Sequence, residues 1–377
     1  MKNLCIDNYF KNGSFKYDQV LTDFPILKEM DTCEQNPLFH AEGNVWNHTK
    51  MTLSSLVCLT EWIDLNERDK SILFFAALFH DIGKIKCTKE ENGVITSKKH
   101  SVIGARMVRK LLWGVDSNIK AQWKEREEIA NMVYLHMAPI HFLEKTDPLY
   151  SISAASYVLN NKLLNILAKA DNLGRICKNI DDQTNAWEMI NLHKMFCEEN
   201  DCFEGRKSFQ TDRARFRYLF EHKGHPNIDW FEKVNGRVII MSGIQGSGKS
   251  FIIDRDYKHL PVVGSDETRI DLDMEYGEDE GVILRSVKEQ CKELMREKKS
   301  FVFNATCTIK DIRSKWIRLF RDYGYEIAIH YVERPMDITL KANKSREKSV
   351  PENVIYEKFS KLDVPTLLEC HYLILSV

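Results

Sequence analysis

Six side chains with metal-binding chemistry fall at wide intervals in the first half of the chain: His48, the adjacent His80 and Asp81, His100, His136 and Asp171. Each lies in or beside a run whose apolar spacing is helical. The pair His80-Asp81 closes Ile72–Phe79, eight consecutive apolar residues. Two ionisable groups placed there are costly to bury unless they meet a partner charge. Neighbours on a helix point about 100° apart, so both converge on an ion only near a helix end. Gly83 is placed to supply that end. A mixed His/Asp shell suits Mn²⁺, Co²⁺, Ni²⁺ or Fe²⁺ better than an all-oxygen Mg²⁺ cage. Such an ion lowers the pKa of a coordinated water and makes hydroxide available for attack on a phosphoester. Six ligands suffice for one or two ions, with Asp81 between them. Lys84 and Arg175 follow ligand candidates within one helical turn, where each either meets a substrate phosphate or sits at the surface. The other eight histidines, His40 among them, have no such context and read as structural.

A second constellation is Gly243-Ile-Gln-Gly246-Ser247-Gly248-Lys249-Ser250, a complete G-x-x-x-x-G-K-S motif. It follows an apolar strand-like run, Val238–Met241, and opens a segment that can be helical. Glycines let backbone N–H groups turn toward phosphate oxygens, and a helix N-terminus adds positive partial charge. Lys249 is placed for the β- and γ-phosphates of an NTP such as ATP, and Ser250 for Mg²⁺. After the next apolar run comes Ser265-Asp266-Glu267-Thr268-Arg269. Asp266 suits a general base for an attacking hydroxyl, and Arg269, on the same helical face, a clamp for an acceptor phosphate. Ser265 or Asp266 acting as a plain helix cap is the alternative. Arg346, in the basic run before Pro351, is placed as a lid over the transferring phosphoryl group, or as a solvated helix end.

The elements that must hold these groups differ between the two halves. From about residue 44 to 200 the periodicity is helical, interrupted only by a strand-like VITS near Val94, so this half reads as all-α. Asp69 is a candidate cap, and Gly83 and Gly174 are candidate stops. From Gly236, short Val/Ile/Phe-rich runs alternate with helical segments. That grammar predicts α/β architecture with a parallel sheet, and HYLILSV at the C-terminus as a further strand. The polar, basic stretch from 205 to 233 reads as a connector. Its arginines interleave with Phe209, Phe216, Tyr218 and Phe220, suited either to stacking with nucleic acid or to packing as an amphipathic helix.

Composition sets outer limits. With 43% hydrophobic and 29% charged residues, the 377-residue chain suits a multi-domain globular protein and not a disordered or coiled-coil one. Lys plus Arg (54) nearly equals Asp plus Glu (55), so any polynucleotide contact must come from local patches. No run is long enough to span a membrane, and Met1–Lys11 lacks a signal-peptide core. The ten cysteines have no C-x-x-C pair, and several, such as Cys58 and Cys307, lie in apolar runs. They read as reduced, buried thiols of a cytoplasmic protein. Oligomeric state and the role of residues 1–39 have no signal in the sequence.

The order His48, His80-Asp81-Ile-Gly-Lys84, His100, His136, Asp171 resembles the HD phosphohydrolase superfamily, and VWNHT and HDIGK resemble its RNA-processing members. GIQGSGKS, Asp266-x-x-Arg269 and NKSREKSVP are similar to the 5′-polynucleotide kinase branch of P-loop phosphotransferases. Together they resemble the bifunctional HD–polynucleotide kinase family of end-healing enzymes. The resemblance implies an all-α HD phosphohydrolase domain over 1–204, the connector over 205–233, and a P-loop polynucleotide kinase domain over 234–377. It also implies two reactions. One moves the γ-phosphate of an NTP to a 5′-OH end, using Asp266, Arg269 and Arg346. The other hydrolyses 2′,3′-cyclic, 3′- or 2′-phosphate ends with divalent transition metal. RNA or DNA ends would be the partners, and a nucleic-acid ligase the functional neighbour. Asn304 replaces the family's usual Asp, and Ala342 a second lid Arg. Two other readings stand beside this one: a nucleotide-scavenging nucleoside kinase and nucleotidase, and a kinase gated by a non-catalytic HD sensor.

Overall fold

A computed structural model describes residues 4–229, 231–274, 278–345 and 349–377. The chain forms two compact units, Met1–Ser208 and Phe209–Val377.

The first unit is built on five helices: α1 (Val45–Cys58), α2 (Glu67–Phe79), α3 (His100–Leu112), α4 (Trp123–Leu135) and α5 (Asn161–Leu173). A helix apolar on every side must be surrounded. Accordingly, α2 packs against α1, α4 and α5, and every residue from Ile72 to Phe79 is buried. Its N-cap is Asn66, whose side chain accepts from the Asp69 amide at 2.9 Å. Asp69 is therefore not the cap: it already sits inside the first turn, whereas a cap must precede that turn. Residues 4–39 complete the same core. Tyr9 stacks on Phe74 at 5.7 Å, and Phe24, Leu27 and Met30 are fully buried. Two short antiparallel hairpins accompany the helices, Phe10–Lys11 with Ser14–Phe15 and Lys89–Glu91 with Val94–Thr96.

The second unit begins with α6 (Asp212–Leu219), followed by β1 (Gly236–Ser242), α7 (Lys249–Asp256), β2 (Val262–Gly264), α8 (Ser265–Asp271) and α9 (Glu280–Arg296). Then come β3 (Phe301–Asn304), α10 (Lys310–Asp322), β4 (Tyr325–Val332), α11 (Glu352–Ser360) and β5 (Tyr372–Ser376). The sheet runs β2-β3-β1-β4-β5 with every pairing parallel. Crossover helices therefore link consecutive strands, and all carboxyl ends share one edge.

The stretch read as a connector contributes α6 to this unit. Phe216 and Phe220 join the core made by Val238, Phe301 and Ile327, each ring stabilising the fold by roughly 1.5–3 kcal/mol. Arg215 is buried, donating to the carbonyls of Leu367, Cys370 and His371. With Phe216, Tyr218 and Phe220 inside, these rings do not form an open stacking platform. All ten cysteines are free thiols. Cys307 is buried as expected, but Cys58 is exposed, because it closes α1 on its outer face. No helix among the described residues is long and apolar enough to cross a membrane.

Candidate functional sites

In the first unit the ligand candidates come from helix ends. His48 lies in the first turn of α1 and His100 begins α3. His80 and His136 cap the C-termini of α2 and α4, and Asp171 is in the last turn of α5. Helix C-termini carry negative partial charge and unsatisfied carbonyls, a setting that favours cations. Each imidazole is aimed by its Nδ1. His80 donates to Ala77 O at 2.8 Å, His100 to Ser97 O at 2.9 Å and His136 to Val133 O at 2.7 Å. That bond fixes the tautomer and turns the Nε2 lone pair inward.

All six side chains meet. His48 Nε2 and His80 Nε2 are 3.1 Å apart, with Asp171 Oδ1 3.0 Å from His48 Nε2. His100 Nε2 and His136 Nε2 are 3.3 Å apart. Asp81 stands between the two pairs. Its Oδ2 is 3.4 Å from His80 Nε2 and 3.8 Å from His48 Nε2; its Oδ1 is 3.5 Å from His100 Nε2 and 4.0 Å from His136 Nε2. His48, His80 and Asp171 thus form one potential three-ligand group, and Asp81, His100 and His136 another. Inward lone pairs at contact distance repel unless a proton or cation lies between them, so the donor set fits divalent ions bound by nitrogen and carboxylate oxygen. Gly83 makes the convergence possible: a Cβ there would lie 2.0 Å from the His100 carbonyl oxygen.

Burial would lower the His48 imidazole, but Asp171 and Glu42 outweigh it and push it up to about 9. Burial, reinforced by the neighbouring His80, takes His136 down to about 4, leaving it neutral. Burial alone would raise the Asp81 carboxyl, yet Lys84 and His80 hold it well below the usual range. Lys84 is a buried partner and not a surface lysine, with Nζ 2.7 Å from both Asp81 Oδ2 and Gln35 Oε1. Arg175 donates to Asn172 Oδ1 at 2.7 Å.

In the second unit the phosphate-cradle loop joins β1 to α7 at the carboxyl edge of the sheet. Gly246 (φ 81°) and Gly248 (φ 101°) adopt the left-handed backbone that its turns require. A Cβ on Gly248 would also lie 2.8 Å from Arg334 Cζ. Gly243 opens the loop, and the Ser247 hydroxyl is buried behind it. Lys249 Nζ donates to the loop carbonyls of Gly243 (2.8 Å) and Ile244 (3.1 Å), and Ser250 is exposed in the first turn of α7. The loop matches a nucleotide-phosphate and Mg²⁺ site in donor chemistry and backbone shape.

Asp266 and Arg269 lie on α8, directly after β2 and two strands from β1, a spacing of about 10 Å. The Asp266 side chain is 70% exposed and meets Arg269 Nη1 at 3.3 Å. Glu280 holds the other side of that guanidinium, with both oxygens near Nη2 at 2.6 and 2.7 Å. Asn304, at the end of β3, donates to Glu267 Oε1 at 2.7 Å, so a carboxylate stays beside this strand end despite the Asn. Arg346 lies outside the described residues.

A family model for the HD domain matches residues 45–176, and one for an AAA domain (AAA_33) matches residues 238–364. The chain thus carries an HD domain over 45–176, followed by a P-loop kinase-like domain over 238–364. No curated protein matches it. Among solved structures, a gluconokinase from Sinorhizobium meliloti 1021 is similar at 14% identity, over 36% of this chain and 78% of its own, with a TM-score of 0.26.

The HD domain also uses residues that carry no local sequence signal. Glu42 Oε1 accepts from His48 Nδ1 (3.0 Å) and His40 Nδ1 (2.8 Å), and its Oε2 from the Ile176 amide (2.9 Å). His40 packs edge-on to His48 at 4.7 Å. The P-loop kinase-like domain adds Arg334 over the loop, and Glu280 and Lys358 near Asp266. These groups are brought in by loops and later helices, which no motif spacing announces.

Proposed function

We propose that this protein heals nucleic-acid ends: the P-loop domain phosphorylates 5′-hydroxyl ends, and the HD domain hydrolyses 2′,3′-cyclic, 3′- or 2′-phosphate ends. The observation that carries the reading is the Asp81 carboxylate facing two imidazole pairs, on a chain that also holds a complete phosphate cradle. The resemblance of both halves to end-healing enzymes gives the polynucleotide substrate.

On the kinase side, the loop amides and Lys249 hold the NTP phosphates, with the lysine leaving its two loop carbonyls to do so. Ser250 would hold Mg²⁺ through its hydroxyl. The exposed Asp266 carboxylate accepts the proton of the 5′-hydroxyl as that oxygen bonds the γ-phosphorus, while the bond from the γ-phosphorus to the β,γ-bridging oxygen breaks and NDP leaves. Arg269 meets an acceptor phosphate after exchanging Glu280 for it. On the hydrolase side, the four inward Nε2 atoms and the two aspartates would hold one or two of Mn²⁺, Ni²⁺, Co²⁺ or Fe²⁺. Such ions supply acidified water and screen phosphate charge. Lys84 keeps Asp81 ionised and in place. The products, 5′-phosphate and 3′-OH, are the ends that a nucleic-acid ligase joins.

The test is incubation of a 5′-OH, 2′,3′-cyclic-phosphate oligoribonucleotide with ATP and Mn²⁺ or Ni²⁺. Both ends are expected to change, the 5′ end only with ATP. An unchanged 3′ end under every metal would remove the hydrolase reading.

A further inference from the structure

The carboxyl edge of the sheet contains a cavity of about 240 Å³ that the reaction scheme above leaves without an occupant. It lies between α9 and α10, beside Ser265, the residue next to Asp266. Trp316 lines it, resting on Phe303 with ring centroids 4.5 Å apart. Leu284 and Ile312 also line it, and they leave 51% and 46% of their surface in water. Apolar side chains exposed around a concave aromatic wall lose hydrophobic stabilisation that an apolar-faced ligand restores. The polar groups are few: Ser265, Thr306, Thr308 and Lys358. A polyhydroxylated sugar would leave most of its hydroxyls unpaired against such walls, at a cost for each. A nucleobase fits the chemistry, with a flat π-face for the indole and a polar edge for the hydroxyls.

Lys358 adds a second element. It lines the cavity, and the charges acting on its ammonium include Asp266 and Glu280. Among the described residues no ion pair to it is formed within 4 Å. Arg269, by contrast, is bound by Glu280 and Asp266. Lys358 is therefore a second cation for the acceptor's phosphates at this cavity, with no ion pair to give up, beside Arg269, which must first exchange Glu280.

Resting on the kinase reading above, we propose that the cavity receives the base of the acceptor's 5′-terminal nucleotide, stacked on Trp316 between Leu284 and Ile312, with Lys358 on the adjoining phosphate. The kinase would then recognise a strand through its first base and first phosphate. Its 5′-hydroxyl would be presented to Asp266.

The experiment compares two 5′-OH oligonucleotides, identical except that the 5′-terminal residue of one is abasic, as acceptors for the full-length protein with ATP and Mg²⁺. One stacked base is typically worth a factor of about 10–100. The abasic acceptor is expected to show a KM higher by that factor, with the KM for ATP unchanged. Leu284→Ser and Ile312→Ser, both at exposed positions, should raise KM on the base-bearing acceptor. Losses from variant and abasic acceptor should not add, because both remove the same contact. Trp316→Ala serves as a third variant once its fold is checked by circular dichroism. Lys358→Ala should raise KM on both acceptors alike. Equal KM values for the two acceptors with wild-type protein, or fully additive losses, would overturn the base site while leaving the polynucleotide kinase intact. Failure of wild-type protein to phosphorylate either oligonucleotide would instead remove the kinase reading, and this proposal with it.

Discussion

Asp81 is a buried carboxylate with each oxygen turned toward a different pair of imidazoles, and Lys84 beside it. A ligand set of this kind works only if each ring is held in one tautomer and one orientation. Three of the four rings are fixed by backbone carbonyls one turn back. His48 differs in having the Glu42 carboxylate at its Nδ1. Removing such a partner typically costs about 10–100-fold in metal affinity. Glu42→Gln is therefore expected to weaken Mn²⁺ binding by that factor in a titration of metal-free protein, without altering ATP binding. Unchanged Mn²⁺ affinity would make Glu42 a purely structural contact. The convergence of the six ligand candidates was legible because His and Asp are out of place in apolar helical runs. Glu42 and His40 were not, since a loop returning to the start of α1 leaves no periodic trace. Arg269 was legible as a cation, but its capture by Glu280, on another helix, was not.

At the scale of elements, the HD site depends on helix ends meeting at one point. Gly83 lets the turn after α2 pass directly over the start of α3, and Gly174 lets the end of α5 touch Thr52 of α1. Cβ atoms there would fall 2.0 Å from the His100 carbonyl oxygen and 2.5 Å from the Thr52 amide nitrogen. Gly83→Ala must push the two elements apart, an overpacking cost of about 1–3 kcal/mol. Chemical denaturation should show a loss in that range for the HD domain, together with weaker metal binding. Retained stability and metal content would mean the contact relaxes without cost. The helices and strands themselves were readable because their apolar periods are long and regular. The connector stayed open between stacking and packing because α6 is short and dense in charge; its face of Phe216, Leu219 and Phe220 is buried, as the packing alternative has it. Residues 4–39 gave no pattern because they fill the core with single aromatic and aliphatic residues from turns and short helices.

For the whole molecule, the two candidate sites belong to two compact units, each with its own core. Their activities should therefore separate by mutation. Lys249→Ala is expected to reduce 5′ phosphorylation by two orders of magnitude or more and to leave 3′-phosphate removal intact. Loss of both activities from a folded variant would contradict independent sites. The order of the two units was legible because each motif sits in its own periodic grammar. The polynucleotide substrate belongs to the proposal and rests on resemblance. The most direct test of the account is the number of Mn²⁺ ions bound at equilibrium by metal-free wild-type protein and by Asp81→Ala. The account predicts one or two ions per chain for the wild type, and their loss at the same Mn²⁺ concentration when Asp81 is removed. Asp81→Ala protein that binds as many ions as the wild type would contradict it.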